Sequence, residues 1–271
     1  MFEQAASIIR DAELFVVTAG AGMGVDSGLP DFRGDRGFWQ AYPAYARLGL
    51  SFVECANPEH FAADPAFAWG FYGHRANLYR DTNPHEGFHI IRSWIERNSA
   101  DYFVVTSNVD GQFQKAGYAE EQILEVHGSI HRLQCQTPCS DQIWRNDEVV
   151  RVDQGSMRAH HPLPRCSGCG EISRPNILMF GDYSWLPDRT RIQGHAFDRF
   201  LAAHADRRMA VIEMGAGSAI PTIRATSERI GWNLQHATVI RINPREPEIQ
   251  RPHISLPCSA LEGLHKIDAL L

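Results

Sequence analysis

Four short apolar runs, at residues 14–18, 102–106, 209–214 and 238–242, constrain the fold more than any other feature of this chain. Each is rich in Val, Ile or Phe, and each stops at a turn containing Gly, Asn or Pro. Runs this short, without regular polar alternation, read as strands buried on both faces of a parallel sheet. Helical patterning lies around 4–11, 86–97, 192–205 and 220–234. Strand and helix therefore alternate, and the fold class expected is an open α/β sheet whose strand ends open onto a ligand cleft.

Two stretches break the rhythm. Residues 38–80 are rich in aromatics and helix formers with no strand-like run, and 133–174 carry cysteines between short polar connections. Both read as insertions into one sheet domain that together make a smaller second domain. Of the six cysteines, Cys55 and Cys258 stand alone, while Cys135 with Cys139 and Cys166 with Cys169 form close pairs. Four thiolates in two knuckles satisfy a closed tetrahedral zinc site, which makes the metal structural. Three residues separate Cys135 from Cys139, one more than the commoner spacing.

With 271 residues, 44% of them hydrophobic and 21% charged, the chain is able to bury a proper core. A net charge of −6 provides no positive field to gather phosphate backbones, so nucleic acid is not an expected partner. No apolar run is long enough to span a bilayer and no basic region precedes an apolar stretch at the N-terminus, so the expected compartment is cytoplasmic and no membrane partner is expected.

The first strand runs into Gly20-Ala21-Gly22-Met23-Gly24, where glycines let the backbone approach a pyrophosphate. It continues as Asp26-Ser27-Gly28-Leu29-Pro30-Asp31-Phe32-Arg33-Gly34, an acidic residue, an aromatic and an arginine together in one loop; taken alone, that stretch is equally an ordinary loop around a buried Phe32. Further along come Thr106-Ser107-Asn108-Val109-Asp110-Gly111, Glu125-Val126-His127-Gly128, the cysteine pairs, Arg174-Pro175-Asn176 through Phe180-Gly181-Asp182, Gly215 and Ile242-Asn243-Pro244. In this order the motifs resemble those of the sirtuins, over nearly the whole chain.

The resemblance implies a Rossmann-like parallel sheet domain (1–40, 81–132 and 175–271) and a small domain (41–80 and 133–174) made of a helical module and a four-cysteine zinc ribbon. It implies NAD as co-substrate, one structural zinc on Cys135, Cys139, Cys166 and Cys169, and an acyl-lysine protein or peptide as partner. Gly20, Ala21, Gly22, Asp31, Phe32 and Arg33 would line the phosphate and nicotinamide region, with Ser107, Asn108 and Asp110 beside the ribose and carboxamide. Gly215, Ser218 and Asn243 would contact the phosphates and the adenosine ribose. His127, whose ordinary pKa near 6.5 suits a base at neutral pH, would act with Asn108 as catalytic machinery. In the family mechanism the acyl oxygen attacks the ribose as nicotinamide leaves, and the histidine then takes a proton from a ribose hydroxyl. The products are deacylated lysine and O-acyl-ADP-ribose. His131 has no such role in the pattern and reads as structural.

Phe180 and Gly181 would bind the peptide backbone as an added strand. Tyr72 and Arg75, spaced Tyr-x-x-Arg, resemble the pair that sirtuins acting on succinyl-, malonyl- or glutaryl-lysine use to hold a distal carboxylate. The glycines in Trp69-Gly70-Phe71-Tyr72-Gly73-His74-Arg75 argue against one regular helix there. Three positions depart from the family: Gly24 stands where a serine is usual, Ser107 where a glutamine is usual, and Gly217 in a loop lacking its threonine-serine pair. These departures keep two alternatives in view, ADP-ribosyl transfer or NAD hydrolysis on one side and a non-catalytic sensor of NAD or ADP-ribose on the other.

Overall fold

The computed structural model describes residues 1–30 and 34–271, and no side chains for 34–36. Asp31, Phe32 and Arg33 therefore lie outside the described residues. The four apolar runs form strands β1 (Leu14–Ala19), β2 (Asp101–Thr106), β6 (Met209–Met214) and β7 (Ala237–Ile242). Two short strands, β3 (Ile123–Glu125) and β8 (Ile254–Leu256), extend the sheet at its edges. All six are parallel, in the order β8-β7-β6-β1-β2-β3. The chain thus winds outward from β1 in both directions. The switch of direction falls between β1 and β6, where open α/β sheets bind their ligands.

Helices Phe2–Asp11, Glu86–Arg97 and Ala260–Asp268 cover one face of this sheet around Phe15, Trp94, Ile212 and Leu264. Helices Asp188–Ala203 and Thr222–Asn233 cover the other around Val16, Phe103, Val211 and Ile230. Burial on both faces is why these strands are nearly all apolar. Three of the exceptions lie in register. Thr18 pairs with Glu213, and Glu213 with Arg241, on three neighbouring strands. Arg241 holds Glu213 through two hydrogen bonds, at 2.5 and 3.0 Å, and reaches Glu228 at 2.8 Å and the Glu248 carbonyl at 2.6 Å. Thr18 shares a 2.8 Å hydrogen bond with Ser227 on the covering helix. A buried charge survives only when paired in this way.

A separate apolar cluster joins Phe38, Tyr45, Trp69 and Phe71 to Ile130, Leu133 and Leu163. Here β4 (Gly128–Cys135) pairs antiparallel with β5 (Ser173–Ile177) and with the short strand Trp144–Arg145. The Pro65–Asp81 helix runs unbroken for 17 residues, with Asp64 accepting the Phe67 amide as its cap. This corrects the sequence-based expectation of a glycine-interrupted segment. Gly70 is there for contact: a Cβ would sit 1.9 Å from the Met157 carbonyl oxygen of the Val152–Ala159 hairpin. The hairpin therefore packs directly on the helix backbone.

Truncation of Glu213 to Ala leaves Arg241 with only the half-exposed Glu228 and the Glu248 carbonyl and is expected to lower unfolding free energy by up to about 3–5 kcal/mol. Loss of the exposed Lys266–Glu262 pair, at 2.6 Å, is expected to leave it nearly unchanged, because solvent screens both charges. Urea denaturation of Glu213→Ala and Glu262→Ala compares the two; equal midpoints would show that the buried pair carries no special weight.

Candidate functional site

A cavity of about 730 Å³ opens at the C-terminal ends of the parallel strands. Gly20 and Ala21 follow β1, Ser107 and Asn108 follow β2, His127 follows β3, Gly215 to Ser218 follow β6, and Arg245 and Glu246 follow β7. Its lining also includes Tyr72, Arg75 and Tyr79 of the Pro65–Asp81 helix, together with Leu178, Met179 and Phe180.

The first and sixth strands end in loops that touch through bare backbone. The Gly22 amide donates to the Gly215 carbonyl at 3.0 Å, and the Gly20 amide to that of Met214 at 3.0 Å. A Cβ on Gly20 would lie 2.7 Å from the Gly215 oxygen, and Gly215 itself has a φ of 60°. No side chain fits between the loops, so the cleft there is walled by peptide groups. Gly22 sits behind this contact and does not line the cavity.

Asn108 is fixed from two sides. Its Nδ2 donates to the Gly20 carbonyl at 3.0 Å and its backbone amide to Thr106 Oγ1 at 3.0 Å. His127 is half-buried in the turn between β3 and β4, its carbonyl accepting from the Leu178 amide at 3.0 Å. Burial pulls the imidazole below its ordinary pKa, partly offset by a hydrogen bond with the Ser107 backbone. The ring is therefore neutral at pH 7, the state a general base requires.

Asp110 is 8% exposed and has its carboxyl pushed up to about 6, chiefly by burial. The Gln112 amide, 3.0 Å from Oδ1, opposes the shift, while the Glu125 carboxylate adds to it. His131 donates from Nε2 to the Asp110 carbonyl at 2.9 Å, a structural prop for the loop, as its sequence context suggested. Gly24 faces the same carboxylate: a Cβ there would stand 3.7 Å from Asp110 Oδ2.

Arg75 and Tyr72 are both buried. The Arg75 guanidinium donates to the Tyr79 hydroxyl from Nε at 3.1 Å and Nη2 at 2.9 Å, and its centre lies 5.1 to 5.7 Å from the rings of Phe71, Tyr79, Tyr72 and Phe52. Phe180 packs edge-on against Phe52 at 6.1 Å and donates its amide to Ala56 at 3.1 Å. Gly181, beside it, has a φ of 66° and lies outside the cavity lining. The loop is anchored by Asp182, which accepts from both terminal nitrogens of buried Arg174 at 2.7 and 2.9 Å. Arg174 thereby serves the site from below.

Asn243 also stays out of the cavity. It is fully buried, donates from Nδ2 to the Ala216 carbonyl at 2.7 Å, and accepts the Arg245 and Glu246 amides on Oδ1 at 3.0 and 3.1 Å. Its work is to hold two loops together. Sequence reasoning missed Tyr79, Arg245 and Glu246. For Tyr79 the signal was present, four residues from Arg75 on one helix; for Glu246 it was an acidic residue just past a strand end.

The four paired cysteines converge. Their sulfurs lie within 4.8 Å of one another, with Cys135 to Cys169 and Cys139 to Cys166 each 3.6 Å apart. Sulfurs about 2.3 Å from a tetrahedral zinc lie about 3.8 Å from each other, so this set fits the ion with all four positions filled.

Residues 20–198 match the model of the Sir2 family. An NAD-dependent protein deacylase of Pyrococcus furiosus is 31% identical over 189 residues, which are 70% of this chain and 68% of that protein. A Thermus thermophilus protein of the same description is 27% identical over 267 residues, 97% of this chain and 92% of its own length. A solved Sir2 homologue in complex with NAD shares the fold with a TM-score of 0.74 at 24% identity, covering 99% of this chain and 95% of that one. A Sir2 homologue mutant with ADP ribose gives 0.75 at 24%, covering 100% and 96%.

Two outcomes are expected from this geometry. Asp110 has a folded pKa above its unfolded one, so its contribution favours folding at low pH and is lost as pH rises through about 6. Asp110→Asn, which keeps the acceptor for Gln112, is expected to raise stability by up to about 3 kcal/mol near pH 8 and by nothing near pH 3, read by thermal melts at both. Second, elemental analysis is expected to give one zinc per chain, and its removal by a strong chelator to lower Tm; an unchanged Tm after zinc loss would contradict a structural ion.

Proposed function

This chain belongs to the Sir2 family, and on that premise we propose that it is an NAD-dependent protein-lysine deacylase. The observation that carries the reading is the placement of a half-buried His127 and a doubly anchored Asn108 on one cavity with the bare Gly20 and Gly215 loops. Bare backbone at the Gly20 turn suits a pyrophosphate, because no side chain stands between the strand end and an anion lying against it. NAD supplies the ribose carbon that accepts the acyl oxygen as nicotinamide leaves. His127 takes a proton from a ribose hydroxyl, Asn108 orients that ribose, and Asp110 faces the carboxamide. The acyl group passes from the lysine nitrogen to a ribose oxygen and water completes the exchange, giving O-acyl-ADP-ribose and free lysine.

In this reading the NAD-binding body comprises 1–40, 81–132 and 175–271, and the small body 41–80 and 133–174, with zinc on Cys135, Cys139, Cys166 and Cys169. The acyl-lysine segment adds as a strand beside Phe180 and Gly181, and its side chain descends toward Tyr72 and Arg75. A guanidinium at the end of that path grips a carboxylate through parallel hydrogen bonds, which favours succinyl-, malonyl- or glutaryl-lysine. The absence of a side chain on Gly24 motivates a second reading, NAD hydrolysis or ADP-ribosyl transfer. A serine there would bring a hydroxyl beside the Asp110 carboxylate, whereas with glycine Leu29 packs against that position and the carboxylate lacks the neighbour.

Mass spectrometry of NAD with matched acetyl-, succinyl-, malonyl- and glutaryl-lysine peptides tests both. O-acyl-ADP-ribose is expected from the wild type and is expected to fall at least about a hundredfold in His127→Ala. Arg75→Ala is expected to lose roughly tenfold or more on the acidic acyl groups and little on acetyl. Nicotinamide release at equal rates with and without peptide would replace deacylation by hydrolysis.

A further inference from the structure

The loop after β6 reads Gly215-Ala216-Gly217-Ser218-Ala219-Ile220, then Pro221. This loop is held by a contact with the loop after β7. The Ser218 amide donates to Glu246 Oε2 at 2.8 Å and the Ser218 hydroxyl to Oε1 at 2.7 Å. Arg224 donates from Nη1 to the Glu246 carbonyl at 2.9 Å and lies 3.5 Å from the carboxylate. Asn243 ties the same two loops through Ala216. Ser218 and Glu246 both line the cavity, and the Glu246 side chain is 39% exposed.

A backbone N–H and a hydroxyl that converge on one point are an anion site, and here a carboxylate of the chain itself fills it. A dinucleotide entering the same cavity brings two phosphate charges toward those donors. Carboxylate and phosphate compete for Ser218, and their like charges repel. We propose that Glu246 is an internal anion that latches the Gly215–Pro221 loop closed and sets the affinity of the site for a nucleotide diphosphate, which must displace it. The proposal rests on the NAD reading above. It makes Glu246 an affinity-determining residue for phosphorylated ligands, with no part in the chemical step.

The test is calorimetric titration with ADP-ribose, and with adenosine as the uncharged control, on wild type, Glu246→Gln and Ser218→Ala, together with amide exchange over residues 215–221. In Glu246→Gln, ADP-ribose is expected to bind roughly fivefold tighter, adenosine to bind as before, and the loop amides to exchange faster. Ser218→Ala, which removes a donor but keeps the charge, is expected not to tighten ADP-ribose binding. Measurable wild-type binding that weakens or stays level in Glu246→Gln overturns the latch and makes Glu246 a ligand contact or a bystander. If no variant binds ADP-ribose, the NAD reading fails instead, and the exchange rates alone decide whether Glu246 holds the loop.

Discussion

The cavity depends on a contact from which side chains are excluded. Where β1 and β6 end side by side, two glycine-bearing loops meet backbone to backbone, and the amide of Gly22 closes on the carbonyl of Gly215. A β-carbon on Gly20 would force these loops apart. Because the sheet winds outward from this point, the loops after β2 and β7 fan away on either side and leave a cleft between them. Asn108 is then tied into the contact through the Gly20 carbonyl, and Asn243 through that of Ala216. Two asparagines on opposite flanks thus gauge the width of the mouth.

Charge buried in this frame is held mostly in pairs among the described residues. The Glu213–Arg241 pair crosses two central strands and also ties down the chain at Glu248, so the loop bearing Glu246 hangs from an ion pair buried in the sheet. Arg174 and Asp182 do the same for the Phe180 loop. Asp110 differs, because burial and Glu125 both disfavour its charge. A carboxylate kept at the expense of stability is the kind of group that function retains.

The sheet was legible because its central strands are buried on both faces, and double burial writes itself as uninterrupted apolar runs. All four were readable to within about a residue, as were the turns where the cavity opens. The edge strands were not, since Ile123–Glu125 and Ile254–Leu256 are three residues each and have too few positions to show a period. The cysteine spacing predicted four convergent sulfurs, and they converge. What the sequence hid were relations between distant segments. Gly70 and Gly73 look like helix breakers until the hairpin that leans on them is seen, and Asn243 looks like a ligand until its amide is found fully engaged. Glu246 was marked only by its place past a strand end, and its contact with Ser218, 28 residues away, stayed hidden for the same reason.

The Pro65–Asp81 helix presents two opposed faces. At about 100° per residue, Gly70, Gly73 and Asn77 fall on the side that meets the hairpin, where Asn77 holds the Val150 carbonyl at 2.8 Å. Tyr72, Arg75 and Tyr79 fall on the other, at the cavity. The segment between the cysteine pairs is therefore a backing plate for the wall that Tyr72, Arg75 and Tyr79 give the cavity. Loosening of that plate would let the helix drift while the His127 and Asn108 loops, hung from the large sheet, kept their places, so one wall of the cavity would change shape before the other.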